Sequence, residues 1–232
     1  MKHLKKLATL LYIDTAGEKA TVAISQNGKL LALQENGEAQ THSSFLHVAI
    51  ENLIHETKIS LASMDAIVVT KGPGSYTGLR VGMSSAKGIA YALDKPLIGL
   101  STLALLAKTA SKHPWLNDKK EKTYLFAMID ARRMEVFGAM YDTSLNIILP
   151  EQALEINTEY LSQLIAKNPI LCIGSAASKA QTLIQNPNIF FVEQHYDILD
   201  GIEFAEAAFA AGKFEDVAYT TPSYLKEFYF KK

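Results

Sequence analysis

One segment, KGPGSYTGLRVGMSSAKGIAYAL at residues 71–93, limits what this chain can fold into more than any other. Its opening, Lys71-Gly72-Pro73-Gly74, suits no regular element. Glycine opens positive φ and proline fixes φ while removing a donor, so the chain must turn tightly here. Before it, Ala66-Ile67-Val68-Val69-Thr70 is a short β-branched run that predicts a buried strand. After it, Ser75 or Thr77 can cap a helix that runs to about Leu93, where Asp94-Lys95-Pro96 stops it. Strand, glycine turn and helix form one unit.

Inside that helix Gly78, Gly82, Ala86 and Ala90 recur every four residues and share one face. Each interior glycine costs about 1 kcal/mol relative to alanine. Two on one line therefore imply close approach by another backbone. That backbone could belong to the protein's own sheet or to a partner helix. Tyr76, Leu79, Met83 and Ile89 flank the ridge with apolar bulk, and Arg80 and Lys87 add charge.

The glycine turn matches neither common phosphate fingerprint. A Walker loop would need Gly-Lys-Ser/Thr four residues after Gly74, where Leu79 and Arg80 stand. A dinucleotide fold needs G-x-G-x-x-G, whereas Gly72, Gly74 and Gly78 space one residue too widely. A helix N-terminus still attracts anions, which specifies no ligand.

The chain has 232 residues, room for one large domain or two lobes. Its 23 basic and 24 acidic residues give a net charge of −1. No bulk positive field can hold nucleic acid, so work on RNA would need a basic partner. The single cysteine, Cys172 in ILCI, excludes an internal disulfide and reads as inert packing in a buried strand. The start, MKHLKKLATLLYID, imitates a signal peptide, but Asp14 ends the apolar run early and no A-x-A pattern follows. No stretch reaches membrane-span length, and a cytoplasmic protein with no membrane partner is expected.

Leu7 to Ile13 predicts a first strand, and Thr21–Ser25 and Leu30–Leu33 flank Asn27-Gly28 as a hairpin. Asp14 ends the first strand, where a carboxylate either meets a Mg-phosphate ligand or satisfies turn amides. Residues 43–57 form a helix with Phe45, Leu46, Ala49, Ile50, Leu53 and Ile54 on one stripe. Opposite lie His47, Glu51 and His55, whose histidines are too far apart to share a metal and read as a solvated face. Leu97–Leu100 is a strand, Ser101-Thr102 caps a helix to about Ala110, and residues 113–122 read as a loop between lobes.

A second lobe then repeats the theme. Strands are expected at 124–129, 134–141 and 147–149, the first two joined by the polar turn Asp130-Ala131-Arg132-Arg133. Helices follow at 159–166, 176–184 and 201–211, with short strands at 170–173 and 190–192 and a glycine turn at Gly174-Ser175. Two lobes of hairpin strands followed by strand–helix alternation predict a duplicated α/β fold.

These residues resemble a known family. Ile13-Asp14-Thr15, His42-Ser43, GPGSYTGLRVGMSSAKGIA at 72–90, Pro96-Leu97-Ile98-Gly99 with Ser101-Thr102-Leu103, Ile129-Asp130-Ala131-Arg132-Arg133 with Glu135-Val136, and Pro222-Ser223-Tyr224-Leu225 together resemble the TsaB (YeaZ-like) family. That family serves the bacterial tRNA threonylcarbamoyladenosine machinery. Tyr76 stands where phenylalanine is usual and Lys226 where arginine is usual, and Gly174-Ser175-Ala176-Ala177 is looser than the family's form.

The resemblance implies an actin-like, sugar-kinase-like (ASKHA) α/β fold: two duplicated lobes with mixed five-stranded sheets flanked by helices. The lobes are expected at 1–108 with 203–232, and at 109–202. It also implies a non-catalytic subunit, required for placing a threonylcarbamoyl group on N6 of the adenosine beside the anticodon in tRNAs that read codons beginning with adenine. Such a subunit pairs with and activates the paralogue TsaD, with the ATPase TsaE in a ternary complex. It pairs with itself when TsaD is absent and meets tRNA through the complex. The implied interface is formed by residues 43–57 and 75–93, through Phe45, Ala49, Leu53, Tyr76, Gly78, Leu79, Gly82, Met83, Ala86 and Ala90. On that basis Gly82→Leu or Ala86→Glu is expected to abolish pairing and leave the monomer folded. TsaD-like proteins carry an H-x-x-x-H metal site where this chain has Thr102 and Leu106. A hydroxyl and an alkyl group do not replace two imidazoles, so no metal, cofactor or catalytic residue is expected. The alternative is a nucleotide-dependent phosphotransferase or ATPase of the same fold. Candidate nucleotide or partner contacts are Asp14, Gly72, Gly74, Asp130, Arg132, Arg133 and Gly174.

Overall fold

The computed structural model describes residues 8–36, 42–118, 122–166 and 168–226. The basic start of the chain and the centre of the charge run 118–122 lie outside these residues. The chain divides into two compact units, Met1–Thr102 with Ile198–Ser223 and Leu103–Asp197 with Tyr224–Lys232.

In the first unit, β1 (Thr9–Asp14), β2 (Ala20–Gln26), β3 (Lys29–Asn36), β4 (Ala66–Gly72) and β5 (Leu97–Ser101) form one sheet in the order β3-β2-β1-β4-β5. The meander β1–β2–β3 is antiparallel, and β4 and β5 join it in parallel. Asn27 and Gly28, both at positive φ, make the tight turn expected between β2 and β3. Side chains alternate across the sheet. Leu11, Ile13, Val22, Ile24, Ile67 and Val69 face α1 (His42–Thr57) and α2 (Tyr76–Leu93), which supply Leu46, Ala49, Leu53, Met83, Ala86 and Ala90. On the other face α6 (Ile198–Ala210) crosses Tyr12: a Cβ on Gly201 would stand 2.9 Å from the Tyr12 hydroxyl. Ser75 caps α2 by accepting from Gly78 N at 3.3 Å, and Asp94 ends it at φ 51°.

The second unit repeats this connectivity. β6 (Tyr124–Asp130), β7 (Glu135–Asp142), β8 (Ile147–Glu155), β9 (Ile170–Ile173) and β10 (Ile189–Val192) lie in the order β10-β9-β6-β7-β8. A meander of three is again extended by two parallel strands. One face packs Phe126, Met128, Val136, Cys172, Leu161 and Ile165, the last two from α4 (Thr158–Ile165). Burial pushes the Cys172 thiol far above its usual range, as expected of inert packing. The other face packs Leu125, Ala127, Ala139 and Leu171 under α3 (Thr102–Ala110). The two mixed five-stranded sheets, each flanked by helices and wired alike, are the actin-like duplication that the sequence implied.

The expected boundary after residue 108 falls instead after Thr102, because Leu103, Leu106, Ala107 and Ala110 of α3 pack on the second sheet. The whole of α6 joins the first unit, whereas Leu225 packs in the second. The helix expected at 176–184 is only α5 (Ala177–Gln181). Among the described residues no helix is long and apolar enough to cross a membrane.

Candidate functional site

In the first unit the end of β1 meets the glycine turn. Asp14 is buried and accepts from Ala16 N at 2.9 Å through Oδ1. Desolvation raises its carboxyl to about 6, against the lowering effect of bonds from Ala16 and the Thr70 side chain. Thr70 also shares a 3.2 Å hydrogen bond with the Tyr12 hydroxyl. Gly72 turns at φ 107°, and the Gly72–Pro73 peptide is cis. Ser75 N then donates to Ala16 O at 2.7 Å. A Cβ on Gly74 would collide with Ala16 O. Asp14 and Gly74 thus meet at Ala16, and the Asp14 carboxylate serves the turn itself.

The small-residue ridge points inward. The Thr15 hydroxyl donates to Gly78 O at 2.7 Å, a Cβ on Gly78 would strike Thr15 O, and one on Gly82 would strike Thr15 Oγ1. Gly78, Leu79, Gly82, Met83, Ala86 and Ala90 are all buried, as are Ala49 and Leu53 of α1. These eight positions cannot form an outer docking surface, because the unit's own sheet already fills it. Phe45 and Tyr76 remain half-buried, with the Arg80 guanidinium 4.0 Å from the centre of the Tyr76 ring.

The outward face of the same helices has a different composition. Thr77, Ser84, Gly88 and Ala92 are exposed along α2, and nothing lies within 4 Å of where a Gly88 Cβ would be. Tyr91 is 84% exposed beside them, and Val48 on α1 is 55% exposed. Ser84, Gly88 and Ala92 form a second line of small residues at four-residue spacing. The sequence carried that signal, and the ridge beside it drew the reading instead. On α1, His55 and Glu51 stand 3.9 Å apart on the solvent face.

Sequence reasoning also missed how residues 213–223 are tied to the first unit. Lys71 Nζ meets Glu215 Oε1 at 2.6 Å, and Thr220 Oγ1 donates to Glu215 Oε2 at 2.9 Å. Lys87 of α2 donates to the carbonyls of Ala218 and Thr220 at 3.1 and 3.0 Å. Sequence separations of 131 to 144 residues leave no local pattern to read.

In the second unit Asp130 takes the place that Asp14 has in the first. Its Oδ1 accepts from Arg132 N at 2.7 Å and from Lys179 Nζ at 2.7 Å. Partial burial raises its carboxyl, but the Lys179 and Arg132 bonds outweigh that and hold it below the usual range. Lys179 also donates to Arg133 O and Glu135 O, each at 2.8 Å. Gly174 turns at φ 119° against Met128 O, and the next residue, Ser175, accepts from Asp130 N at 3.1 Å. Asp130, Arg132, Arg133 and Gly174 are therefore one cluster around the end of β6.

Thr102 and Leu106, which the resemblance sets against a metal site, are both buried, and Leu106 is part of an apolar cluster. The Thr102 hydroxyl has no hydrogen-bond partner among the described residues. No group of three or more His, Cys, Asp or Glu side chains that could hold a metal occurs among them.

Two sheets with one strand order, each ending its first strand in an aspartate beside a glycine turn, define an actin-like protein. A family model described as TsaD, tRNA N6-adenosine threonylcarbamoyltransferase, matches residues 36–228, and the chain belongs to that family. Among curated relatives it is similar to the tRNA threonylcarbamoyladenosine biosynthesis protein TsaB of Bacillus subtilis, at 29% identity over 77% of this chain and 76% of that one. It is also similar to TsaB of Escherichia coli, at 34% over 59% of this chain and 56% of that one. The matched segments thus span from about half to three quarters of these relatives' length. A solved Pseudomonas aeruginosa protein, described by its similarity to the peptidase YeaZ, superposes with a TM-score of 0.76 at 25% identity, covering 94% of this chain and all of that one.

Proposed function

We propose that this chain is a TsaB: a non-catalytic cytoplasmic subunit that pairs with TsaD and is required for threonylcarbamoylation of N6 of the adenosine beside the anticodon. TsaE joins that complex, tRNA is met through it, and the chain pairs with itself when TsaD is absent. The observation that carries the pairing reading is the outward face of α2 beside α1. Ser84, Gly88 and Ala92 leave a shallow track along which another helix can approach. Tyr91 and Val48 supply exposed apolar anchors at its side. The lack of catalysis is supported by Thr102 and Leu106, whose side chains supply no metal ligand. The phosphotransferase reading lacks comparable support, since Ser75 N and the Asp14 carboxylate are both engaged by the turn.

Light scattering of the chain alone and mixed with TsaD from the same genome tests this. Wild type forms a heterodimer, and Gly88→Arg prevents it while leaving the chain folded and stabilised by up to about 1 kcal/mol, since it removes an interior helix glycine with open space around it. Pairing by Gly88→Arg at wild-type strength would remove the outer face of α2 from the interface.

A further inference from the structure

Beside α2 the chain makes a turn at residues 216–220 that is held at every residue. Asp216 Oδ1 accepts from Ala218 N at 2.8 Å and from Tyr219 N at 3.1 Å, and Thr220 N closes the turn on Asp216 O at 2.8 Å. The Thr220 hydroxyl is tied to Glu215, itself paired with Lys71. Lys87 of α2 reaches across to the carbonyls of Ala218 and Thr220, and Val217 packs against the core of the unit. At the tip stands Tyr219, 84% exposed, whose ring and hydroxyl make no hydrogen bond or ring contact among the described residues. The unit itself has no use for the side chain that these bonds hold in place.

The turn continues the outer face of α2. Lys87 lies three residues from Ser84 and four from Tyr91, so all three share one side of the helix. The bonds from Lys87 therefore set the turn alongside the track of Ser84, Gly88 and Ala92, with Tyr91 and Tyr219 equally exposed on that side. Area points the same way. A stable interface draws on about 20–30 residues a side. Among the described residues α2 exposes six and α1 eight, so a partner seated on α2 must reach past these helices. A tyrosine on a preset backbone suits that margin, because it offers a large rigid ring at little ordering cost.

We propose that the 216–220 turn is a second contact for the partner that seats on α2, the TsaD of the same genome, with Tyr219 as its anchor. This rests on the pairing reading given above. The full chain would be titrated with that TsaD by calorimetry, and its self-association followed by light scattering. Tyr219→Ala is expected to weaken TsaD binding about tenfold or more. Tyr219→Phe keeps wild-type affinity, since the ring carries the contact, and Asp216→Ala, which loosens the turn and leaves the ring, weakens binding by a smaller factor. Melting of Tyr219→Ala alone matches wild type, so a folding defect cannot imitate the result. Gly88→Arg separates two failures. If wild type does not bind TsaD, the pairing reading and this proposal fall together. If Gly88→Arg blocks binding while Tyr219→Ala binds like wild type, only the proposal falls. Loss of self-association by Tyr219→Ala with TsaD binding intact would assign the turn to a second copy of this chain, and would also overturn it.

Discussion

Asp14 and Asp130 occupy the same place in two sheets of the same wiring and yet have opposite electrostatics. Each ends the first strand of its unit, and each accepts the amide two residues on, at 2.9 and 2.7 Å. In the first unit a glycine turn lets an 18-residue helix press onto that strand end, burying the carboxylate and raising it to about 6. In the second unit the helix after the glycine is five residues long and contributes Lys179, which holds the carboxylate below its usual range. Gly78 in the first turn of α2 and Lys179 in the first turn of α5 mark the divergence. One allows backbone against backbone, and the other sets a charge against a turn. The first unit has become packing at this spot, and the second has kept an exposed cationic tip.

Substitution can break that comparison, and the largest effect belongs to the packed side. Gly82→Leu and Ala86→Glu place bulk or charge between α2 and β1, where Ala86 has no exposure. Each should cost about 3–5 kcal/mol and unfold the first unit in a thermal melt. This reverses the expectation that the monomer would survive them, and a wild-type melt for either would refute the inward ridge.

Next in size is the pH dependence of Asp14. A carboxyl raised from 3.8 to about 6 stabilises the fold fully below 3.8, and that contribution is lost as pH rises through 6. The loss amounts to about 3 kcal/mol at most. Asp14→Asn should therefore be more stable than wild type at pH 7.5, with the gap closing toward pH 4 in denaturant titrations. Asp130→Asn has the opposite sign and is smaller. A lowered carboxyl contributes stability above its unfolded pKa and loses it as pH falls through the folded value. That variant should be less stable at neutral pH and equal to wild type in acid. If both variants shifted in the same direction, the contrast between the units would fail.

Much of this fold was legible in the sequence because local chemistry dictates it. Asn27-Gly28 fixes its hairpin, Ser75 its cap and the Leu46–Ile54 stripe its buried face. The failures have physical causes too. Helical period shows that Gly78, Gly82, Ala86 and Ala90 share a face, but not which of two possible neighbours fills it. Only Thr15, more than sixty residues earlier, decides that. The Asp130-Arg132-Arg133 turn was visible as a polar cluster, whereas Lys179, 49 residues from Asp130, was not. Long-range bonds of this kind leave no periodic trace.

The fastening of residues 213–223 has a consequence for solubility. β5 is a border strand of the first sheet, and a border strand with open amides and carbonyls invites pairing with another chain. Here Glu215 N occupies Leu97 O at 2.8 Å, and Gly99 has no side chain because Lys71 and Glu215 lie over it. The segment therefore works as a selvedge. A chain cut before Lys213 would free Leu97 O and uncover Gly99 on that border, and its first fault would be clumping there before any loss of helix packing.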